Sequence, residues 1–445
     1  MRATCEQLDD ATFEREREVV RAEGRQTSTP GTDVMLDILE EVYGKDHPYA
    51  RPITSDEIAA ATRAEACAFI EKYYTPDRAY VVITGPFEPA GIRGQVGRAF
   101  GPIARKAAAP RTPVGPPRLD GRVTSRAAPV TRPTALVFLT HPAWGADGNV
   151  KFAVGRQALA NGLQAADDEH DWITGTNVWV GGGGRARVLV VAVEVKKAAQ
   201  LRRAANQVFA RADRLLAGTT AGEFSASLGE MTMRYVESWD NLPARGQWIS
   251  DFMQYTDHNW FMLKEMRAIT NTNWGVAITQ LKGVMSQDRS HVVLLTPGAS
   301  PHRTRAAAIP SGSHDVTPWR APVDPADADR PVVIAASTVD AEIDEYTLAN
   351  GLRVQLAPDP HSPIVDARLV FPVGSAHEPR DRPYLATAAT RLLSPAVGQK
   401  FTWSTILKLD WAMSHGTELG TWIGETATVF SARGLAHWGD WHVWH

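Results

Sequence analysis

The hydrophobic pattern divides the chain into stretches of period near 3.6 and stretches of alternating or continuous apolar residues. Asn149 to Leu163 reads as a helix, and so does Leu201 to Leu216, where Ala204, Val208 and Ala212 fall on one face. Helical patterns also run through Ile58, Phe69, Ile70 and Tyr73, and through Trp274, Ile278, Leu281 and Val284. Ala135 to Leu139 and Val188 to Val195 read as strands. Near the C-terminal end, Asn350-Gly351 predicts a turn into a strand carrying Leu352, Val354 and Leu356, with Ile364 to Val373 as its partner strand. Gly181 to Gly184 is expected to be a hairpin tip. It is no phosphate cradle, because no Lys-Ser/Thr and helix start follow it.

One pattern occurs twice. Asp-Arg-Ala-Tyr-Val-Val-Ile-Thr (Asp77 to Thr84) returns as Asp-Arg-Ser-His-Val-Val-Leu-Leu-Thr (Asp288 to Thr296), an offset of 288 − 77 = 211 residues. Each copy follows a helical pattern and turns through a polar corner into an apolar strand. That arrangement predicts a duplicated α+β domain.

Composition places the breaks. Residues 103–133 are rich in Ala, Pro, Arg and Gly and read as a linker, as does the stretch from Pro297 to Pro331. A net charge of −3 gives no electrostatic case for nucleic acid or an anionic membrane as partner. Two cysteines, Cys5 and Cys67, exclude a disulfide scaffold and a cysteine-rich metal site; Cys67 is expected to be a small core residue. No apolar run reaches the roughly eighteen residues of a membrane span. The first residues lack the apolar core of a signal peptide, so the compartment stays unknown, a periplasmic one included.

Three segments then carry a resemblance. Phe-Glu-Arg-Glu-Arg-Glu-Val-Val-Arg-Ala-Glu (Phe13 to Glu23), His-Pro-Tyr-Ala-Arg-Pro (His47 to Pro52) and the run from Phe69 to Gly85 together resemble the insulinase/pitrilysin (M16) zinc metallopeptidases, in the part that follows their zinc-binding helix. Thr347 to Leu356 and Val-Gly-Ser-Ala-His-Glu-Pro (Val373 to Pro379) are similar to the opening of an M16 N-terminal domain. The resemblance implies an α+β fold of tandem M16 (LuxS/MPP-like) metallohydrolase domains, with antiparallel-rich sheets packed with helices. It implies four parts: 1–110 as the rear of a first N-terminal-type domain, 111–300 as a C-terminal-type domain, 301–335 as linker, and 336–445 as the front of a second, non-catalytic N-terminal-type domain. On that reading the chain starts and stops partway through a domain.

The family's chemistry uses two His of a His-x-x-Glu-His helix and a distant Glu on Zn²⁺, with an open position for water. The resemblance assigns the distant ligand to Glu23, with Glu16 as a supporting carboxylate on the same helix face, about 20° away. Read without the resemblance, Glu14, Glu16, Glu18 and Glu23 among Arg15, Arg17 and Arg21 form a solvated helix laced with ion pairs. In the second N-terminal-type copy the motif positions hold Thr387, Thr390 and Arg391, which do not suit zinc. The family therefore implies Zn as cofactor, none bound by this chain alone, and no catalytic residue within it. Implied partners are an unfolded peptide substrate or a catalytic M16 chain. The alternative is a non-catalytic subunit or scaffold.

Other metal-capable groups read as structural. Asp167 to His170 is a solvated turn, and His415 to Glu418 is half an inverted zinc motif spoiled by Leu419. The tail with His437, His442 and His445 is a core-packing helix striped by Trp438, Trp441 and Trp444. His47 is placed in a loop before a helix starting near Thr54, with Thr54 and Glu57 as its capping box.

Overall fold

The computed structural model describes residues 9–27, 30–50, 55–85, 87–105, 113–146, 149–218, 221–256, 261–299, 343–360, 362–379, 381–382, 384–393 and 417–436. They fall into two units, the hairpin region up to Ser362 by itself and the remainder.

The main unit is organised by a five-stranded sheet: β1 (Arg122–Ala128), β2 (Thr134–His141), β3 (Ile173–Gly183), β4 (Ala186–Val195) and β5 (Ser290–Pro297), in the order β1-β5-β2-β4-β3. β1 runs parallel to β5 and every other pair is antiparallel. Both faces of the central strands are buried, so β2, β4 and β5 read as continuous apolar runs rather than alternating ones.

One face carries Ala135, Val137, Leu139, Val191, Val193, Val292 and Leu294. The helices α6 (Asn149–Glu169), α7 (Leu201–Gly218) and α11 (Trp274–Lys282) pack on it. Phe152 and Leu159 come from α6, Ile278 and Leu281 from α11, and Ala204, Val208 and Ala212 from the predicted face of α7. Gly155 lets α6 and α11 close up, since a Cβ there would meet the Ala277 carbonyl oxygen at 2.8 Å. Behind this layer, α8 (Ala221–Asp240) and α10 (Phe261–Thr270) join α6 and α11 around Val154, Met231, Ile269 and Ala277.

The opposite face carries Leu136, Phe138, Val188, Val190, Val293 and Leu295, covered by Val34, Ile38, Val42 and Tyr43 of α2 (Pro30–Tyr43). A polar clamp fixes the same helix: Glu41 accepts Nε2–H of fully buried His291 at 3.0 Å and Oγ1–H of Thr124 at 3.2 Å, and pairs with Arg126. The preceding helix, α1 (Asp10–Thr27), is capped by Asp9, whose carboxylate accepts the Thr12 N–H at 2.6 Å.

Between α2 and the sheet come α3 (Ser55–Ala60), α4 (Arg63–Tyr73) and α5 (Pro89–Phe100). Thr54 lies outside the described residues; the capping box that is observed belongs to Thr62 and Glu65 at the start of α4. α9 (Leu242–Thr256) follows α8.

Several expectations are corrected. Residues 103–133 are not linker throughout: 122–128 form β1, whose polar side chains hid a strand paired on one side only. Residues 79–84 belong to none of the sheets of the described residues. β8 (Ile364–Phe371) does not pair with the Leu352–Leu356 strand; it pairs with β10 (Thr428–Leu435), which also pairs with β9 (Glu418–Ile423). Phe430 to Leu435 therefore forms the greater part of β10. The 343–362 unit holds β6 (Asp344–Thr347) and β7 (Arg353–Leu356), joined by the predicted turn at Asn350-Gly351. Most of the second expected linker and all of 437–445 lie outside the described residues. Cys67 is half-buried on α4 rather than a core residue.

Candidate functional site

Glu23 and Glu16 both lie exposed on α1. Their neighbours are ion pairs along the same helix: Glu14 with Arg17, Glu18 with Arg21 at 2.7 Å, and Glu16 with Arg15 at 3.4 Å. The ion-pair-laced surface expected from the residues alone is what the geometry presents, and such exposed pairs contribute little to stability. Arg17 also donates to the Ala61 carbonyl at 3.1 Å, tying α1 to the end of α3. No group of three or more His, Cys, Asp or Glu able to hold a metal ion occurs among the described residues.

Thr387 and Thr390 sit on α12 (Leu385–Leu393). Thr390 is buried, and its hydroxyl donates to the Ala386 carbonyl at 2.6 Å, bonding back along its own helix. The helix is opened by Glu378, whose carboxylate accepts the N–H groups of Tyr384 and Ala386 at 2.8 and 2.7 Å. His47 stacks on Tyr43 at 4.7 Å, bonds the Gly115 carbonyl through Nε2 at 3.0 Å and accepts the Tyr49 N–H at 3.1 Å. It is a loop fastener.

The chemistry-bearing cluster that sequence reading missed is buried between β4, α6, α8 and α10. Glu265 accepts a hydrogen bond from Asn149 Nδ2 at 3.3 Å and from the Tyr235 hydroxyl at 3.2 Å. Arg187 donates to Asn149 Oδ1 at 3.3 Å and lies under the Trp144 ring at 5.3 Å. Burial drives the Glu265 carboxyl above the usual range, against those hydrogen bonds and the Arg187 charge. Burial, aided by the charge of Arg156, lowers Arg187 to about 10, and it raises the Tyr235 phenol. Nearby His141, buried and then repelled by Arg187, is held neutral with a pKa of about 3. The donors and acceptors of Asn149, Tyr235 and Glu265 answer one another, so the cluster bolts three helices to the sheet rather than presenting a reacting group. Its signal in sequence was faint, a single Glu within the apolar run Phe-Met-Leu-Lys-Glu-Met of α10.

Beside it lies the glycine hairpin. Tyr43, Tyr49 and Tyr255 press onto Gly182, Gly183 and Gly184, where any Cβ would collide with their rings. Gly182 also takes φ +80°, and the Tyr43 hydroxyl donates to the Ala186 carbonyl at 2.9 Å. The glycines are structural, as expected, and they serve as landing places for aromatic rings.

With this geometry in place, three comparisons can be read. Residues 60–229 match the family described as the Peptidase M16 inactive domain. Two uncharacterized zinc proteases, from Mycobacterium bovis and Mycobacterium tuberculosis, are 30% identical over 110 residues. That match spans 24% of this chain and 24% of each relative. Among solved structures, the periplasmic protease PqqL from Escherichia coli superposes with a TM-score of 0.52 at 13% identity, covering 96% of this chain and 51% of PqqL. A peptidase M16 inactive domain from Pseudomonas fluorescens gives 0.55 at 14% identity, over 66% of this chain and 71% of that one. At these identities the structures speak for the fold. The chain spans about a quarter of the length of the curated relatives it matches and about half of PqqL.

Proposed function

We propose that this chain, which carries an M16 peptidase inactive domain over residues 60–229, is the non-catalytic part of an M16 zinc endopeptidase acting on unfolded peptides. The observation that carries the reading is the donor set. The 445 residues contain no His-x-x-Glu-His, and the residue that matches the family's zinc ligands is Glu23. A peptidase zinc takes three protein ligands and keeps a fourth position open. One exposed carboxylate, on a helix whose other acids pair with arginines, does not fit Zn²⁺, so no hydrolytic step is assigned to these residues. On this reading Glu23 becomes a ligand, and Glu16 its support, where two imidazoles from other residues reach α1. The division into 1–110, 111–300, 301–335 and 336–445 belongs to the same proposal; the five strands of the main sheet, 122–297, fall within its second part.

A second reading, a subunit or scaffold that binds a peptide or a catalytic M16 chain, draws on two neighbours. The ferredoxin protease FusC, in complex with Arabidopsis ferredoxin, has a TM-score of 0.50 at 13% identity, and a chain of complex III2 from Candida albicans has 0.52 at 11%. One experiment tests the first reading. The full chain, equilibrated with micromolar zinc and then desalted, is assayed for metal content and for cleavage of a quenched unfolded peptide. Less than one zinc per chain and no chelator-sensitive cleavage are expected. Stoichiometric zinc with cleavage would overturn it.

A further inference from the structure

We propose that Cys67 and Cys5 form an intrachain disulfide that fastens the start of α1 to α4. Cys67 is disulfide-bonded, and no cysteine among the described residues is free. The chain has two cysteines, so the count assigns the other half of the bond to Cys5. Cys5 lies outside the described residues, and its part rests on that count and on reach. The bond needs neither zinc nor a substrate and so stands apart from the proposed function, although the fastened helix is the one bearing Glu16 and Glu23.

Two contacts between helices set the reach. Asp10, the first residue of α1, pairs with Arg63, the first residue of α4, at 3.7 Å. Arg17 donates to the Ala61 carbonyl just ahead of α4. Cys67 follows Arg63 by one helical turn, on the same face and about 6 Å further along the axis. Cys5 precedes Asp9 by four residues, which extend to about 14 Å at most. The thiol of Cys5 thus has α4 within its span.

The second copy of the repeated motif shows what such a bond replaces. Thr62 caps α4 and Asn273 caps α11, 273 − 62 = 211 residues apart. Each helix runs into a single 3-10 turn, Pro76–Arg78 and Gln287–Arg289, at the same offset, so one local code is written twice. At that offset Cys67 answers to Ile278, which is buried in the core beneath the sheet. α4 buries no side chain, and neither does α1 among its described residues. A covalent staple holds helices that packing does not. It forms when the thiolate of one cysteine attacks a disulfide oxidant and releases one of its thiolates. The second cysteine's thiolate then attacks the mixed disulfide and releases the other. Two electrons and two protons leave the pair, and the oxidant departs as two thiols. The bond therefore belongs to an oxidising compartment.

To test it, the full chain is equilibrated with a mainly oxidised glutathione buffer, quenched with acid, alkylated and digested with trypsin. The expected product is a linked pair of peptides, residues 3–15 and 64–72, two hydrogen masses lighter than their sum. The undigested chain should run as a monomer without reductant. Hydrogen exchange then reads the fastening. Reduction should speed the amides of 13–17 by at least ~10-fold and leave those of 291–295 unchanged. Cys5→Ser should match the reduced parent and lose all response to reductant. Cysteines left alkylated or capped by glutathione overturn the proposal, and so does a Cys67–Cys67 link or a dimer joined through Cys5. Exchange at 13–17 that ignores reduction, or that still responds to it in C5S, overturns it as well.

Discussion

The two copies of one local code teach how little of a strand lies in its own residues. Asp288 to Thr296 becomes the centre of a sheet, with His291 fully buried. Asp77 to Thr84 keeps the same 3-10 corner, yet its Tyr80, Val81 and Ile83 side chains are exposed. The helices diverge in step, since α11 buries three residues and α4 none. Local propensity supplies the cap and the turn. Neighbouring strands and a helix layer supply the burial, worth about 1.5–3 kcal/mol for each fully covered Val, Leu or Ile.

The largest effect separating the copies is a cavity. Leu281→Ala removes a fully buried side chain at the α11–sheet interface and should cost about 2–5 kcal/mol. Ile70→Ala, the equivalent change in α4, should cost less than about 1 kcal/mol, because its side chain is only half-buried. Urea titration of both variants reads the difference in midpoint. Equal losses would mean that α4 is packed as α11 is, and the contrast between the copies would collapse.

Legibility followed the same division. The face of α7 through Ala204, Val208 and Ala212 was readable because a helix covering a sheet must repeat its apolar side every turn. β2 and β4 were readable as unbroken apolar runs, and the Asn350-Gly351 turn through its own chemistry. β1 was not: Arg122, Thr124, Ser125 and Arg126 look like loop, and only pairing with a strand about 170 residues away makes them one. The partner of β8 failed for the same reason, as 428–435 lies beyond any local pattern. Of the candidate sites, the ion-paired surface of α1 was legible from alternating Glu and Arg. The Asn149–Tyr235–Glu265–Arg187 bolt was not, because its members come from four elements and each alone looks like an ordinary polar residue.

Acid sharpens the comparison at one position, His291 against Tyr80. Burial lowers the His291 pKa, Arg122 and Arg126 add to the effect, and Asp120 opposes it. The other faces of the ring meet Glu41, through the 3.0 Å bond, and Phe138. A histidine with a depressed folded pKa binds fewer protons folded than unfolded. Its contribution is complete above the unfolded value near 6.5 and is lost as pH falls. His141, at about 3, acts in the same direction at about 1.4 kcal/mol per pH unit below 6.5. Glu265, raised by burial, opposes both, losing stability as pH rises from 4.5 through its folded value. The readable quantity is therefore a difference of slopes. Between pH 6.5 and 5, stability plotted against pH should be flatter in His291→Tyr than in the parent, while Tyr80→His should leave the slope unchanged. An unchanged slope in H291Y would mean that His291 is protonated in the fold.

The smallest expected effect comes from the two caps, and it asks whether each copy is coupled to the global fold. Asn273 Oδ1 accepts the Val276 N–H at 3.0 Å, and Thr62 Oγ1 accepts the Glu65 N–H at 3.3 Å while Glu65 returns a bond to the Thr62 N–H at 2.8 Å. By local chemistry Thr62 has the better cap, a reciprocal box against a single bond, and the Glu65 carboxyl is held below its usual range by those bonds. Yet α11 is locked to the sheet and α4 buries nothing. Asn273→Ala should therefore lower the global unfolding free energy by about 1 kcal/mol, whereas Thr62→Ala should raise exchange only in the first turn of α4 and leave the global midpoint in place. If the two caps cost the same globally, α4 unfolds with the core. The exposed segment after it would then belong to the same cooperative unit as β5, despite its bare surface.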